Sequence, residues 1–266
     1  MNPHNLSFYR EINAALLCKE PLRELFKMII KSLISSTGWP GFISLKLPDG
    51  FNAYCPPAEF NEVWLNVLHI YHCRDYEQVP GFKPERGWRI IDAGAYIGLY
   101  TLRASRLVGP EGLVISIEPL DENYKFLKIN LRLNQVSNVK TLNLCISGKE
   151  GFRDLYVPCN TINSSLVKGY AESMGGISRV KKVKCVTLDR LIDMIGKVDL
   201  LKLDVEGAEI EIMRRSKHLT PNNVRKVVME AHLPNTDKIR ELLEERGYRV
   251  ILYLPEDTFQ TFVYAY

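Results

Sequence analysis

The feature that most constrains this chain is a short apolar run that enters an amphipathic helical pattern through a glycine-bearing turn, over residues 89–101. Asp92, Gly94 and Gly98 stand at the junction. A buried parallel strand that feeds a helix in this way lets backbone N–H groups meet a ligand, because glycine has no Cβ to block the approach. The pattern therefore predicts a site for a nucleotide-like cofactor.

The spacing of this turn narrows the choice of cofactor. Dinucleotide sites have G-x-G-x-x-G after the strand, whereas this turn has two glycines and is preceded by Asp92, which would repel a pyrophosphate. A cofactor with a cationic or zwitterionic end fits better, and S-adenosylmethionine is the obvious one. Glu118 ends the next apolar run, where a carboxylate can accept both ribose hydroxyls. The predicted cofactor contacts here are Asp92, Gly94, Tyr96, Gly98 and Glu118.

Length and composition are those of a globular protein with one large α/β domain, or with one domain plus a small extension. The chain has 266 residues, of which 46% are hydrophobic and 25% charged, and its net charge of +4 permits an anionic substrate without requiring one. No apolar run approaches membrane-spanning length, and the first residues lack the order of a signal peptide, so we expect a cytoplasmic protein. The six cysteines form no C-x-x-C pair, and we interpret them as reduced and structural.

The pattern of elements predicts two regions. Residues 1–75 form a helical and hairpin extension, with two short helices over residues 8–36, a hairpin around Pro48-Asp49-Gly50 and a helix from Glu59 to about His72. Residues 76–266 alternate strands and helices, which predicts a doubly wound, mostly parallel sheet that binds ligands at the carboxyl ends of its strands. The strands after the first are expected at 113–118, 139–146, 198–203, 226–232, 248–254 and 261–266, the last two as an antiparallel hairpin.

An insertion separates the third and fourth strands of this pattern. Residues 151–158 and 179–187 resemble an extra strand pair, and the polar, glycine-bearing stretch 159–178 between them is predicted to be a substrate lid. Basic residues flank the lid, either as a solvated strand edge or as an anion site. Ser147, just past the third strand, falls where the adenine end of the cofactor would lie, or is a simple turn residue.

The fourth and fifth strands deliver a group of carboxylates. Alternation along a strand puts Lys202 and Asp204 on one face, and likewise Glu230 and His232. Glu206 follows in the same segment, Lys202-Leu-Asp-Val-Glu-Gly-Ala-Glu209. These residues are expected at the rim where a ligand would bind.

Several of these motifs together resemble the FkbM-type methyltransferases, within the class I S-adenosylmethionine-dependent enzymes. The likeness covers about residues 75–232 and rests on Ile91–Thr101, Glu118-Pro119, Asn130-x-x-x-Asn134 with Asn138-Val139, Ser147, Thr187-Leu-Asp189, Lys202–Glu209 and Glu230. It implies a seven-stranded, Rossmann-like sheet, cofactor contacts from Asp92, Gly94, Gly98 and Glu118, and methyl transfer, commonly to a hydroxyl of a sugar, polyketide or other metabolite. The family usually has Asn where Tyr96 stands.

Transfer from a sulfonium is an in-line displacement, so the protein mainly positions the acceptor oxygen and removes its proton. We hypothesise that Asp204, with Glu206, Glu230 and His232, surrounds the acceptor, and His232 is the best single candidate for a base near neutral pH. Asp204 and Glu206 could instead hold a divalent cation, which we do not favour. The structural interpretation makes Asp204 a helix N-cap and Glu206 a first-turn charge.

Two other functions stay open at the level of sequence. RNA methylation would suit the basic residues around the lid, although the fourth strand lacks the Asn or Asp-Pro-Pro-aromatic run of base-nitrogen methyltransferases. The second open function is that of a non-catalytic module that binds S-adenosylmethionine and regulates a partner. We expect a small-molecule or glycan acceptor rather than nucleic acid or a membrane, and the oligomeric state stays open.

Overall fold

The computed structural model describes residues 41–231, 235–255 and 261–266. The chain divides into two compact units between Arg74 and Asp75. The two helices predicted over residues 8–36 lie outside the described residues.

The described part of the first unit is a hairpin followed by a helix. Strands β1 (Ile43–Lys46) and β2 (Asn52–Cys55) pair antiparallel, as the turn residues between them predicted. Helix α1 (Phe60–Val67) continues as a π-helix over Leu68–Cys73, so the predicted third helix is confirmed. Its final π segment was not predicted.

The second unit is built on a large sheet with helices between its strands. In chain order its elements are β3 (Arg89–Ala93), α2 (Leu99–Val108), β4 (Leu113–Ile117), α3 (Asp121–Leu133), β5 (Val139–Leu142), β6 (Cys145–Ile146), β7 (Gly151–Val157), α4 (Lys168–Ser173), β8 (Arg179–Val186), α5 (Leu188–Ile195), β9 (Leu200–Leu203), α6 (Glu209–Arg215), β10 (Val227–Ala231), α7 (Thr236–Glu244), β11 (Val250–Tyr253) and β12 (Thr261–Ala265).

Seven strands form the central sheet in the order β11-β12-β10-β9-β3-β4-β5. The pairs from β10 to β5 are parallel, and β12 lies antiparallel between β10 and β11. Apolar runs such as Leu200–Leu203 are buried along their whole length, because a parallel sheet is covered on both faces. The predicted seven-stranded, mostly parallel sheet and its closing hairpin are confirmed.

The third predicted strand, over residues 139–146, is wrong as a single element. It splits into β5 of the central sheet and β6, which pairs with β8 in a separate sheet of order β6-β8-β7. Between them the Asn143 amide donates to the carbonyls of Glu118 (3.0 Å) and Pro119 (3.2 Å). These bonds turn the chain away from β4, and strand propensity alone could not predict them.

The insertion has more structure than its sequence predicted. Strands β7 and β8 pair antiparallel as expected. The stretch between them, predicted as a loop, contains a 3-10 helix over Thr161–Asn163 and helix α4. In the ranges that the structure describes, no helix is both long enough and apolar enough to span a membrane.

The turn from β3 to α2 is fixed by close packing. Gly94 has φ +76°, and a Cβ at this position would lie 1.7 Å from the carbonyl oxygen of Asp204, just past β9. Gly98 has φ +92°, and its Cβ would meet the Leu127 side chain at 2.5 Å. Gly94 is therefore required by a backbone contact within the protein itself, and Gly98 by its left-handed backbone conformation.

We predict that Gly94→Ala lowers the free energy of unfolding by more than about 4 kcal/mol, because a backbone oxygen cannot move away cheaply. The matched control is Gly87→Ala, since Gly87 also has positive φ (+81°) but a Cβ added there would have nothing within 4 Å. There we expect a loss of only about 1–2 kcal/mol. Urea unfolding measures both variants, and equal losses would contradict the packing argument.

Candidate functional site

The N–H groups of the glycine turn are used inside the protein. Those of Gly94 and Ala95 both donate to the carbonyl of Ile117 at 3.0 Å, and that of Tyr96 donates to the Glu118 carboxylate at 2.9 Å. These three N–H groups therefore have partners within the protein, and the expectation that backbone N–H groups of the turn meet a ligand stays a prediction. The turn folds back onto the end of β4, which provides hydrogen-bond acceptors for these N–H groups. The main polar groups left at the site are then the acceptor oxygens of carboxylates.

Tyr96 adopts an uncommon backbone conformation at the centre of this turn. Its φ is +51°, in the left-handed region that Asn enters more readily than Tyr. The resemblance to FkbM-type enzymes implies Asn here, and the backbone geometry explains that preference without any side-chain contact to a cofactor. The Tyr96 side chain is buried.

Asp92 lies fully buried at the carboxyl end of β3. The Thr101 hydroxyl donates to its Oδ2 at 2.6 Å, and the Lys202 ammonium lies 3.4 Å from its Oδ1. Burial raises the pKa of Asp92, and Lys202 and Thr101 partly offset that effect. Oδ1 accepts no hydrogen bond from the residues that the structure describes.

Lys202 is a buried cation shared by three acceptors. Its Nζ donates to the Gly94 carbonyl (2.9 Å) and lies 3.2 Å from Asp204 Oδ2, in addition to its contact with Asp92. Burial alone would lower the pKa of Lys202, but the carboxylates of Asp204 and Asp92 raise it above its usual value. Lys202 is therefore permanently charged, and it ties β3, the glycine turn and β9 together.

Asp204 is held through one oxygen, and its other oxygen is buried without a hydrogen-bond partner among the described residues. The Tyr76 hydroxyl donates to Oδ2 at 3.1 Å, beside Lys202, so Lys202 and Asp204 share a face as predicted. Oδ1 has no hydrogen-bond partner in the described part of the chain. The N-cap interpretation of Asp204 is wrong, because α6 begins later and Glu209 accepts the N–H groups of Val205 and Gly207 instead.

Glu206 connects the site to the insertion. It has φ +54°, its carboxylate accepts a hydrogen bond from the Tyr170 hydroxyl on α4, and its carbonyl accepts one from Ser165 at 2.5 Å. Burial, followed by the charges of Glu206, Glu230 and Asp204, raises the pKa of Tyr170. Residues 159–178 are thus fastened to the segment that carries the predicted catalytic carboxylates.

Glu230 lies in β10 and is partly exposed. Its charge contributes to the raised pKa of both Tyr76 and Tyr170, so it lies close to the same group of side chains as Asp204 and Glu206. His232 lies outside the described residues, and its role stays a prediction.

Glu118 is buried at the end of β4 and receives two backbone donors. Its Oε2 accepts from Tyr96 and its Oε1 from Leu120, both at 2.9 Å, with the Asn123 amide 3.5 Å from Oε1. Burial raises the pKa of Glu118 to about 7, although these donors act in the opposite direction. Each carboxylate oxygen has a second lone pair, so the group can still accept hydrogen bonds from a ligand.

Ser147 is engaged in a turn. Its buried hydroxyl donates to the Lys149 carbonyl at 2.6 Å and accepts from the Lys149 N–H at 3.4 Å. This geometry explains the residue as a turn former, and its assignment to the adenine end of a cofactor stays a prediction.

Four residues at the site were not predicted from sequence. Thr101 and Tyr76 hold Asp92 and Asp204, and Asn123 and Tyr170 join Glu118 and Glu206 to the insertion. Thr101 stood within the quoted motif, but nothing marked its hydroxyl as a partner of Asp92. Among the described residues, no group of three or more His, Cys, Asp or Glu side chains is arranged to hold a metal ion.

Comparison with known proteins gives consistent matches. The model of the methyltransferase FkbM domain matches residues 92–250. Methyltransferase sdnD of Sordaria araneosa is 34% identical over 213 residues, which cover 67% of this chain and 78% of that protein. Methyltransferase 1 of Beauveria bassiana (strain ARSEF 2860) is 28% identical over 233 residues, which cover 80% and 91%.

A similar solved structure is methyltransferase FkbM from Methylobacillus flagellatus KT, with a TM-score of 0.49 at 15% identity, covering 92% of this chain and 60% of that one. The family model matches more than half of the chain and includes Asp92, Glu118, Asp204 and Glu230. The chain therefore belongs to the FkbM methyltransferase family.

Proposed function

We propose that this protein is an S-adenosylmethionine-dependent methyltransferase that methylates a hydroxyl group of a small metabolite, such as a sugar or a polyketide. The observation that carries the proposal is the polarity of the site. Its glycine turn uses its N–H groups internally, while the carboxylates of Asp92, Glu118 and Asp204 keep acceptor capacity. Such a site favours a cationic, hydroxyl-bearing ligand over a diphosphate.

The residues present fit this cofactor. Glu118 would accept the ribose hydroxyls, and Asp92 Oδ1, which accepts no hydrogen bond among the described residues but lies 3.4 Å from the Lys202 ammonium, would also accept the ammonium of the methionine end. When bound, S-adenosylmethionine supplies an activated methyl group to a nucleophile. Gly94, Tyr96 and Gly98, which were predicted to contact the cofactor, would then serve only to shape the turn. The Tyr96 side chain, and a Cβ at either glycine, would face the protein interior.

Asp204 is our candidate for the group that receives the acceptor proton. Tyr76 and Lys202 fix its Oδ2, which leaves Oδ1 to accept a hydrogen bond from the acceptor hydroxyl. Glu206 and Glu230 lie near the same position and would bind further hydroxyls of a polar acceptor. His232 remains a second candidate base, and a divalent cation at Asp204 and Glu206 is not required by this arrangement.

The insertion would act as a lid on the acceptor side. Ser165 and Tyr170 both contact Glu206, and the Thr161 hydroxyl donates to the Asn123 amide oxygen at 3.0 Å, beside Glu118. A closed lid of this kind would exclude water from the acceptor. The lid would also have to break its contacts with both Glu206 and Asn123 before substrates and products could exchange.

RNA as the acceptor is a weaker alternative. Arg179 and Lys181, two of the basic residues that could meet phosphates, lie 3.3 Å and 3.4 Å from the carboxylate of Glu122. This pairing reduces the charge available for nucleic acid.

Methyl transfer with labelled S-adenosylmethionine and a panel of monosaccharides and hydroxylated polyketides tests the function. We expect label on a hydroxyl oxygen, a loss of rate of at least about 100-fold in Asp204→Asn, and a roughly tenfold loss of kcat in Tyr76→Phe. Tyr248→Phe is the control, because it removes a buried hydroxyl that donates to Val224 at 2.7 Å, away from the site. Full turnover in Asp204→Asn, or no transfer to any hydroxyl, would contradict the proposal.

The raised pKa of Glu118 predicts a pH dependence of cofactor affinity. Since the pKa is about 7 rather than its usual value of 4.5, the carboxyl is mostly protonated at pH 6 and mostly ionised at pH 8. Only the ionised form accepts from both ribose hydroxyls, so the Kd for S-adenosylmethionine should rise roughly tenfold from pH 8 to pH 6.

Calorimetric titration at several pH values measures this dependence. Glu118→Gln cannot ionise, and it should bind more weakly than the wild type at pH 8 with no change over this range. A wild-type Kd that is constant between pH 6 and pH 8 would contradict this prediction.

A further inference from the structure

Two cysteines face each other across the small sheet beneath the insertion. Cys145 in β6 and Cys185 in β8 are direct partners in the parallel register, and both side chains belong to the same buried cluster. Neighbouring strands lie about 4.8 Å apart, which is within the Cα separation that a disulfide spans. The separation of the two backbones therefore permits a disulfide between these residues.

The pair lies in a compact apolar cluster. Cys145 and Cys185 are 6% and 1% exposed, and they pack with Leu120, Leu155, Val157, Leu166 and Val183. Leu120 donates its N–H to Glu118, and Leu166 belongs to the lid segment. The two thiols therefore sit between the predicted ribose contact and the lid.

The surroundings of the two sulfur atoms differ. The pKa of Cys185 is lowered by the neighbouring Cys145 side chain, then by the Ser147 hydroxyl and Arg153. The pKa of Cys145 is raised by the neighbouring Cys185 side chain and by burial. Such an arrangement favours a thiolate at Cys185 next to a neutral thiol at Cys145. A small oxidant that reaches a thiolate beside a thiol converts the pair to a disulfide.

We propose that Cys145 and Cys185 form an oxidation site that hydrogen peroxide converts to a reversible disulfide. The Cys185 thiolate attacks one peroxide oxygen, the O–O bond breaks, and hydroxide leaves, which gives a sulfenic acid. The Cys145 sulfur then loses its proton and attacks the sulfenic sulfur, whose oxygen leaves as water. In total, two thiols are oxidised and one peroxide is reduced to two waters.

The bond would close a covalent loop from residue 145 to residue 185. This loop contains the whole lid segment, residues 159–178, whose two ends are already joined through the pairing of Val157 with Arg179. Oxidation would therefore restrict the insertion without altering any residue that we place at the reacting centre.

Peptide mapping tests the proposal. Folded, reduced protein is treated with hydrogen peroxide, alkylated and digested with trypsin, and we expect residues 141–149 linked to residues 185–190. Exposed Cys73 and Cys159 report that the oxidant has acted, and buried Cys55 should stay alkylatable after unfolding. Dithiothreitol should reverse the link. The proposal would be overturned if Cys145 and Cys185 stayed free after Cys73 and Cys159 had been oxidised. A link that forms only in urea would also overturn it.

Thermal unfolding provides a second measurement that does not depend on methyl transfer. Closing a loop of this length should raise Tm by at least about 5 °C in the oxidised wild type. Cys185→Ser should show no such rise, whereas Cys55→Ser, the control, should retain it. An equal effect of peroxide on Cys185→Ser would contradict the proposal, and failure of the proposed methyl transfer would leave both measurements valid.

Discussion

The site depends on one buried charge, the ammonium of Lys202. It contacts the Gly94 carbonyl, Asp92 and Asp204, and therefore joins the ends of two neighbouring strands to the turn between β3 and α2. Two carboxylates at the edge of a sheet would repel each other and resist burial without such a partner. With Lys202 in place, each keeps one oxygen that accepts no hydrogen bond in the described part of the protein.

Two groups of contacts extend from this centre to the insertion. On the cofactor side, Glu118 is linked through Asn123 to Thr161, and on the acceptor side Glu206 is linked to Tyr170. The predicted binding sites for the two substrates therefore touch the same segment, residues 159–178, at different points. This arrangement gives a physical reason for a lid in this position, since one element can respond to occupancy of either side.

Much of the fold could be predicted because parallel strands are buried along their whole length and appear as apolar runs. Alternation in β9 was enough to place Lys202 and Asp204 together. The partners Tyr76 and Tyr170 could not be predicted, because they reach the site from distant parts of the chain and no local pattern marks them. The glycine turn could be predicted from its spacing, but its internal contacts could not: a Cβ at Gly94 would meet the Asp204 carbonyl, and the N–H groups of the turn donate to Ile117 and Glu118.

The central claim is that acceptor groups, rather than turn N–H donors, bind the cofactor. A crystal structure with S-adenosylmethionine tests this claim most directly. We expect both ribose hydroxyls on Glu118 and the ammonium within hydrogen-bond distance of Asp92 Oδ1, with the N–H groups of Gly94 and Ala95 still bonded to Ile117. A cofactor bound through the turn N–H groups, or one whose ribose does not contact Glu118, would contradict it.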